Sequence, residues 1–195
     1  MVVPPTPMPH DSKPQLRRYF RDARRCFVAG LSKVERDALH RDLARMVAPV
    51  LAGFVLPASY AAIGDEIDPV VIEQAFTEIA LPRVDGFNLR FHSSRGAALV
   101  AGVFGIPEPP IDAPQVRPDL VLVPVLAVTL AGVRLGQGKG FYDRALAAFS
   151  RTAPVRSVAL AWDCQIADSL SADPWDFGVD FIATPTRLVD CQAFR

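Results

Sequence analysis

The segment DLVLVPVLAVTLAGVRLGQGKGFYDRAL, residues 119–146, holds the densest set of residues able to do chemistry. A valine- and leucine-rich run leads into a loop carrying Gly136, Gly138 and Gly140, and a helical pattern begins directly after it. Alternating glycines let backbone N–H groups approach a ligand unobstructed, and a helix start adds partial positive charge. Arg134 and Lys139 add full charges beside the loop. Taken alone, the glycines suit an ordinary tight turn better. The strand–loop–helix setting and the two cations shift the reading to a polyphosphate guest.

Other residues could complete such a site. Asp143 either complements the dipole of the helix it opens or holds a magnesium ion, which typically takes one or two protein carboxylates and keeps water elsewhere. Tyr142 either donates to a phosphate or packs its ring against a sheet. Lys13, Arg17, Arg18, Arg21, Arg24 and Arg25 crowd one short stretch that could hold an anion. Lys13 and Arg17 lie four residues apart, so both project from one helix face and can grip a phosphate together. Among the three histidines, His10 falls in the N-terminal tail and His40 on a helix; His92, at a strand end, reads as a surface residue before a general base.

These residues need a scaffold, and the pattern of the chain provides one. Ser12-x-x-Gln15 is a capping box for a helix with Leu16, Tyr19, Phe20, Ala23 and Phe27 inward, ended by Gly30. Ser32-x-x-Glu35 opens a second helix with the stripe Leu39, Leu43, Met46 and Val47. Residues 58–63 read as a buried strand. Asp68-Pro69 starts a third helix whose inner face is Val71, Ile72, Ala75, Phe76 and Ile79. Phe87, Leu89 and Phe91 show strand alternation. Residues 119–124, 157–162 and 179–183 read as strands, 141–150 as a helix, and 106–118 as a long surface loop. Strands alternating with helices predict an α/β fold: a largely parallel sheet with helices on both sides. Residues 1–12 read as a disordered lead-in and 13–195 as a single domain.

Composition narrows the function. The 195 residues are half hydrophobic, with 21 basic and 21 acidic side chains and no net charge. That balance argues against general nucleic-acid or membrane-surface binding. Cys26, Cys164 and Cys191 form neither a zinc spacing nor a disulfide framework, so the cytoplasm is the expected compartment. The start MVVPPTPMPHD is no signal peptide, and no window is apolar enough to span a membrane.

LGQGKGFYD, residues 135–143, resembles the signature of the 5-formyltetrahydrofolate cyclo-ligase family, the methenyltetrahydrofolate synthetases. KPQLR at 13–17, DEI at 65–67, FGIPEP at 104–109 and Gln165 followed by WDFGVDFIATP at 175–185 resemble further elements of that family, in the same order. The resemblance implies a three-layer α/β fold of the ribose-phosphate isomerase and CoA transferase type. It also implies ATP- and magnesium-dependent closure of 5-formyltetrahydrofolate to 5,10-methenyltetrahydrofolate, releasing ADP and phosphate. Residue by residue, Lys13, Arg17 and the loop Arg134, Leu135, Gly136, Gln137, Gly138, Lys139, Gly140, Phe141 and Tyr142 would hold ATP. Ala61, Glu66 and Gln137 to Phe141 (with Gly138, Lys139 and Gly140 between) would face the folate. Asp143 and Asp176 would bind magnesium, while Arg134 and Lys139 would neutralise the transferring phosphoryl group. Arg21, Arg24 and Arg25 are expected on a solvated face, and Asp180 in a structural role.

The chain departs from the family pattern in places. Val125, Val128 and Thr129 stand in a stretch that is usually Pro-Gly-Leu-Ala-Phe-Asp, Gln137 replaces a tyrosine or arginine, and Trp175 replaces a histidine. Two other readings follow: a folate- or nucleotide-binding module of the same fold without catalysis, and a sugar-phosphate isomerase. The first would bind folate without turning over ATP, and the second would not bind nucleotide.

Overall fold

A computed structural model of the chain describes residues 12–94, 98–153 and 155–194. Of the expected lead-in, residues 1–11 lie outside the described residues, and Ser12 is the cap of the first helix, α1 (Lys13–Ala29). Gln15 accepts the Ser12 backbone N–H at 2.9 Å, as the capping box requires. The inward residues of α1 recur every fourth position, at Leu16, Phe20, Arg24 and Val28. Arginine therefore occupies a core position, and the expectation of a solvated Arg24 is corrected. Ser32 and Glu35 cap α2 (Lys33–Leu51) reciprocally. Its buried side is His40, Leu43, Val47 and Leu51, with Met46 turned outward at 38% exposure, because the helix packs by its i, i+4 ridge.

The strands in chain order are β1 (Pro57–Ala58), β2 (Ala80–Asp85), β3 (Asn88–Ser93), β4 (Val100–Ala101), β5 (Pro107–Glu108), β6 (Leu120–Pro124), β7 (Ala127–Val128), β8 (Arg134–Leu135), β9 (Arg156–Leu160), β10 (Phe181–Ala183) and β11 (Leu188–Asp190). Seven of them form one sheet in the order β11-β10-β9-β6-β1-β2-β3. The four inner pairings are parallel, and the outer strands β3 and β11 run antiparallel. Two small hairpins, β4–β5 and β7–β8, lie outside this sheet.

The sheet has a helical layer on each side, as expected. Val121 and Val123 of β6 point into a cluster with Ala145 and Leu146 of α4 (Phe141–Thr152). Leu120 and Leu122 point the opposite way, into a cluster with Leu43, Val47 and Trp162. This alternation is the period of two of a strand buried on both faces.

Several expected elements are shorter than their patterns suggest. The run 58–63 has its ladder partners only at Ala58, and beyond Ser59, whose N–H donates to Ala80 O at 2.8 Å, the chain leaves the sheet. The Tyr60 hydroxyl donates to Ile67 O at 2.8 Å, and Ile63 N–H to Glu66 Oε2 at 3.1 Å, folding those residues into a loop. The third helix, α3, is one turn (Val70–Glu73) with Pro69 as its N-cap; Asp68 Oδ1 accepts Val70 N–H at 3.0 Å just ahead of it, and the chain then turns back into β2. Phe87 is 82% exposed at the β2–β3 turn and does not share the inward face of Phe91. His92 is buried, its Nδ1 2.7 Å from Ala113 O, which corrects the surface reading.

Candidate functional site

A cleft of about 1200 Å³ opens where β1, β6 and their following loops leave the sheet. Ligands of open α/β sheets bind at such carboxyl ends. Lys13, Arg17, Ala61, Glu66, each residue from Arg134 to Asp143, and Asp176 all line this cleft. The sequence therefore singled out residues that folding brings together from across the chain. His92, Val128 and Thr129 do not line it.

The glycine loop joins the β7–β8 hairpin to α4. Gly138 has φ +96°, and a Cβ there would stand 3.1 Å from Arg17 Cζ. Gly140, the N-cap of α4, has φ +66°, and a Cβ there would meet Arg144 Nη1 at 2.8 Å. Both conformations strain any residue with a side chain. Arg17 reaches the loop from α1, its Nε donating to Gly136 O at 3.0 Å, and Arg21 Nη2 donates to Gln137 Oε1 at 3.0 Å. Arg21 is thus anchored rather than merely solvated. Arg134, nearly buried, donates from Nη2 to Asp143 Oδ1 at 2.6 Å, and the same oxygen accepts Phe177 N–H at 3.0 Å. Lys139 lies with Nζ 5.4 Å from the centre of the Phe104 ring.

Acidic groups line the cleft as well. Lys13 Nζ is 2.6 Å from both Asp173 Oδ2 and Asp176 Oδ2. Burial pushes the Asp176 carboxyl up, but the Lys13 ammonium, the Asp173 N–H and Arg134 outweigh it and hold the group below its usual range. Burial likewise works against the Lys13 charge, and the two aspartates overcome it, raising its pKa. Tyr142 is partly buried against the sheet, and desolvation, followed by the Glu66 carboxylate, pushes its phenol well above the ordinary value. Of the two readings of Tyr142, the structure shows the ring packing, and the residue also lines the cleft.

The donor set suits magnesium. Lys13 and the Asp173 N–H take Asp176 Oδ2, and Arg134 and the Phe177 N–H take Asp143 Oδ1. Asp143 Oδ2 faces the loop, 3.9 Å from the position of a Gly140 Cβ. Each carboxylate thus keeps its other oxygen clear of these bonds, and hard oxygen donors at one or two carboxylates match what the ion takes from a protein. Among the described residues no group of three or more His, Cys, Asp or Glu side chains could hold a metal by themselves, so phosphate and water would supply the remaining ligands.

Further side chains, to which the sequence assigned no ligand, hold the surrounding chain. Trp162, fully buried, donates from its indole to Asp65 O at 2.9 Å, locking the loop that presents Glu66. Gln165 Nε2 donates to Val125 O at 2.7 Å and Leu126 O at 3.0 Å, holding the chain after β6. Asp180 accepts Ser157 N–H at 2.9 Å, the structural role expected of it. Arg144 also lines the cleft and straps the loop, Nη2 donating to Lys139 O at 2.9 Å and Nε to Phe87 O at 2.6 Å. Its position one turn after Gly140 was the available signal. Glu108 lines the far wall, buried, with Oε2 3.6 Å from Arg83 Nη1.

Comparison with known proteins agrees with the motifs. Residues 9–185 match the model of the 5-formyltetrahydrofolate cyclo-ligase family. A 5-formyltetrahydrofolate cyclo-ligase of Mycolicibacterium smegmatis is 33% identical over 90% of this chain and 95% of its own length. An Escherichia coli protein of the same name is 34% identical over 51% of this chain and 56% of its own. The solved 5,10-methenyltetrahydrofolate synthetase of Aquifex aeolicus superposes with a TM-score of 0.76 at 28% identity, covering 92% of this chain and 93% of that one. The corresponding Mycoplasma pneumoniae structure, at 22% identity and a TM-score of 0.68, shares the fold. No helix among the described residues is long and apolar enough to cross a membrane.

Proposed function

We propose the following activity for this chain, which belongs to the 5-formyltetrahydrofolate cyclo-ligase family and is an enzyme of that class: it closes 5-formyltetrahydrofolate to 5,10-methenyltetrahydrofolate, consuming ATP with magnesium. The observation that carries the reading is the convergence of the glycine loop, its cations, Glu66 and the Asp143 and Asp176 carboxylates on one cleft. Its volume, about 1200 Å³, exceeds what one small ligand usually fills and suits two substrates side by side.

The formyl oxygen attacks the γ-phosphorus of ATP; an O–P bond forms as the bond to the bridging oxygen breaks and ADP departs. N10 then adds to the activated carbon, the C–O bond breaks, and phosphate leaves as N10 loses its proton. Phosphoryl transfer asks the protein mainly for positioning and charge neutralisation. Arg17, Arg134 and Lys139 neutralise the phosphates, backbone N–H groups of residues 136–140 orient them, and Glu66 accepts from the pterin end. Asp143 and Asp176 would hold magnesium, which would supply further neutralisation of phosphate charge. The protein is expected to act on soluble small molecules in the cytoplasm, without nucleic acid or membrane.

The test is direct: protein, 5-formyltetrahydrofolate, ATP and magnesium are mixed and methenyltetrahydrofolate absorbance is followed. Product must form only when nucleotide and metal are both present. Folate binding with no product would identify the non-catalytic module, and failure to bind nucleotide would favour the isomerase reading.

A further inference from the structure

Arg24 is the polar member of an otherwise apolar stripe: Leu16, Phe20 and Val28 fill the equivalent turns of α1. The residue is 5% exposed, and its buried Nε and Nη1 have no hydrogen-bond partner. Burying such a charge is costly unless something nearby needs it. The acid beside it is Glu66, itself 7% exposed, with Oε1 3.6 Å from Arg24 Nη1. Glu66 lines the cleft, whereas Arg24 stands behind it and does not.

The length of this contact is informative. A close bidentate grip would occupy the acceptor positions of the carboxylate. At 3.6 Å the guanidinium supplies Coulomb attraction while Oε1 remains open to another donor. Glu66 Oε2 is already used by the Ile63 N–H, and the loop is held by Trp162 on Asp65 O and by Tyr60 on Ile67 O. The neighbouring Tyr60 and Tyr142 are neutral phenols, raised above their ordinary value by burial and then by the Glu66 charge, and supply no cation. Arg24 is the cation paired with Glu66.

We propose that Arg24 is a positioning residue that acts through Glu66: it holds that carboxylate turned toward the cleft so that Oε1 accepts an N–H of the folate ring system. This rests on the folate reading of the cleft given above.

The experiment measures 5-formyltetrahydrofolate and ATP binding by calorimetry, and KM for each substrate, for wild type, Arg24→Met, Arg24→Lys, Arg24→Gln, Glu66→Gln and the double variant with Arg24→Met and Glu66→Gln. Arg24→Met should weaken folate binding at least about tenfold, the scale for removing one partner of a buried pair, and raise folate KM with ATP KM within about twofold of wild type. Lysine should restore most of the loss because it keeps the charge; glutamine should not. In the Glu66→Gln background, Arg24→Met should cost little more. Additive losses, unchanged folate affinity in Arg24→Met, or a folded lysine variant as defective as the glutamine variant would overturn the proposal. Should Arg24→Met fail to fold, the contrast between lysine and glutamine decides. Wild-type protein that binds no folate would overturn the functional reading itself, an outcome separate from these.

Discussion

Arg134 and Asp143 clamp the two ends of the glycine loop together, Nη2 to Oδ1 at 2.6 Å across nine residues. The Arg134 side chain is 5% exposed, so the pair is largely shielded from water. Asp143→Asn removes the charge that balances it. Stability should fall by about 1–3 kcal/mol, the penalty for an ill-matched buried partner. Magnesium required for half-maximal turnover should also rise. Urea unfolding and a magnesium titration check both, and unchanged magnesium dependence would remove Asp143 from the metal site.

The Lys13 contact gives a pH signature. Asp176 is held below its usual pKa, so its contribution is present above the unfolded value, roughly 4, and is lost as pH falls through the folded value. Lys13 is raised, so its contribution is present below about 10.4 and is lost as pH rises through its folded value. The destabilisation caused by Lys13→Met should therefore be near about 1 kcal/mol at neutral pH and shrink toward zero in strong acid. Denaturation midpoints from pH 2 to 8 provide the check; a cost that persists undiminished in acid would show that Lys13 acts by packing.

Gly138→Ala introduces a Cβ at φ +96°, with Arg17 Cζ 3.1 Å away. Left-handed backbone costs a side-chain-bearing residue roughly 1–2 kcal/mol, or about 5–30-fold if the loop must recover this shape to bind. ATP affinity should drop by that factor. Calorimetry with ATP alone decides, and an unaltered affinity would mean the nucleotide does not use this loop conformation.

Gly102→Ala tests the far wall. An added Cβ would stand 2.2 Å from Glu108 Cδ, and Glu108 is buried against Arg83. The variant should lose about 1–3 kcal/mol, the usual range for overpacking. A thermal melt equal to wild type would show that Glu108 swings aside freely.

The parts of the fold written in local pattern were legible. Residues 119–150 read as strand, glycine loop and helix because valines, glycines and a 3.6-residue repeat each act over short range. Capping residues marked the starts of α1 and α2 for the same reason. What escaped depended on distant partners. β2 and β11 carry no clean alternation and form by pairing with β3 and β10. The run 58–63 is apolar enough for a strand, yet Glu66 and Tyr60 bend it into the cleft floor. Arg24 looked like its exposed neighbour Arg25, since only the arrival of Glu66 makes a buried arginine tolerable. The residues that line the cleft were legible one by one, but the ion pairs among them were not.

The contact from Lys13 to Asp173 spans 160 residues. Such separation is slow to close, because chain entropy is lost before the contact is gained. The glycine loop with β6, α4 and β9 is local by comparison and can form early. Competence to bind therefore trails the folding of the sheet: α1 is made well before the segment around Asp176 and has no acidic partner to meet until that segment follows. A refolding protein should regain its far-ultraviolet signal before it regains its ligands.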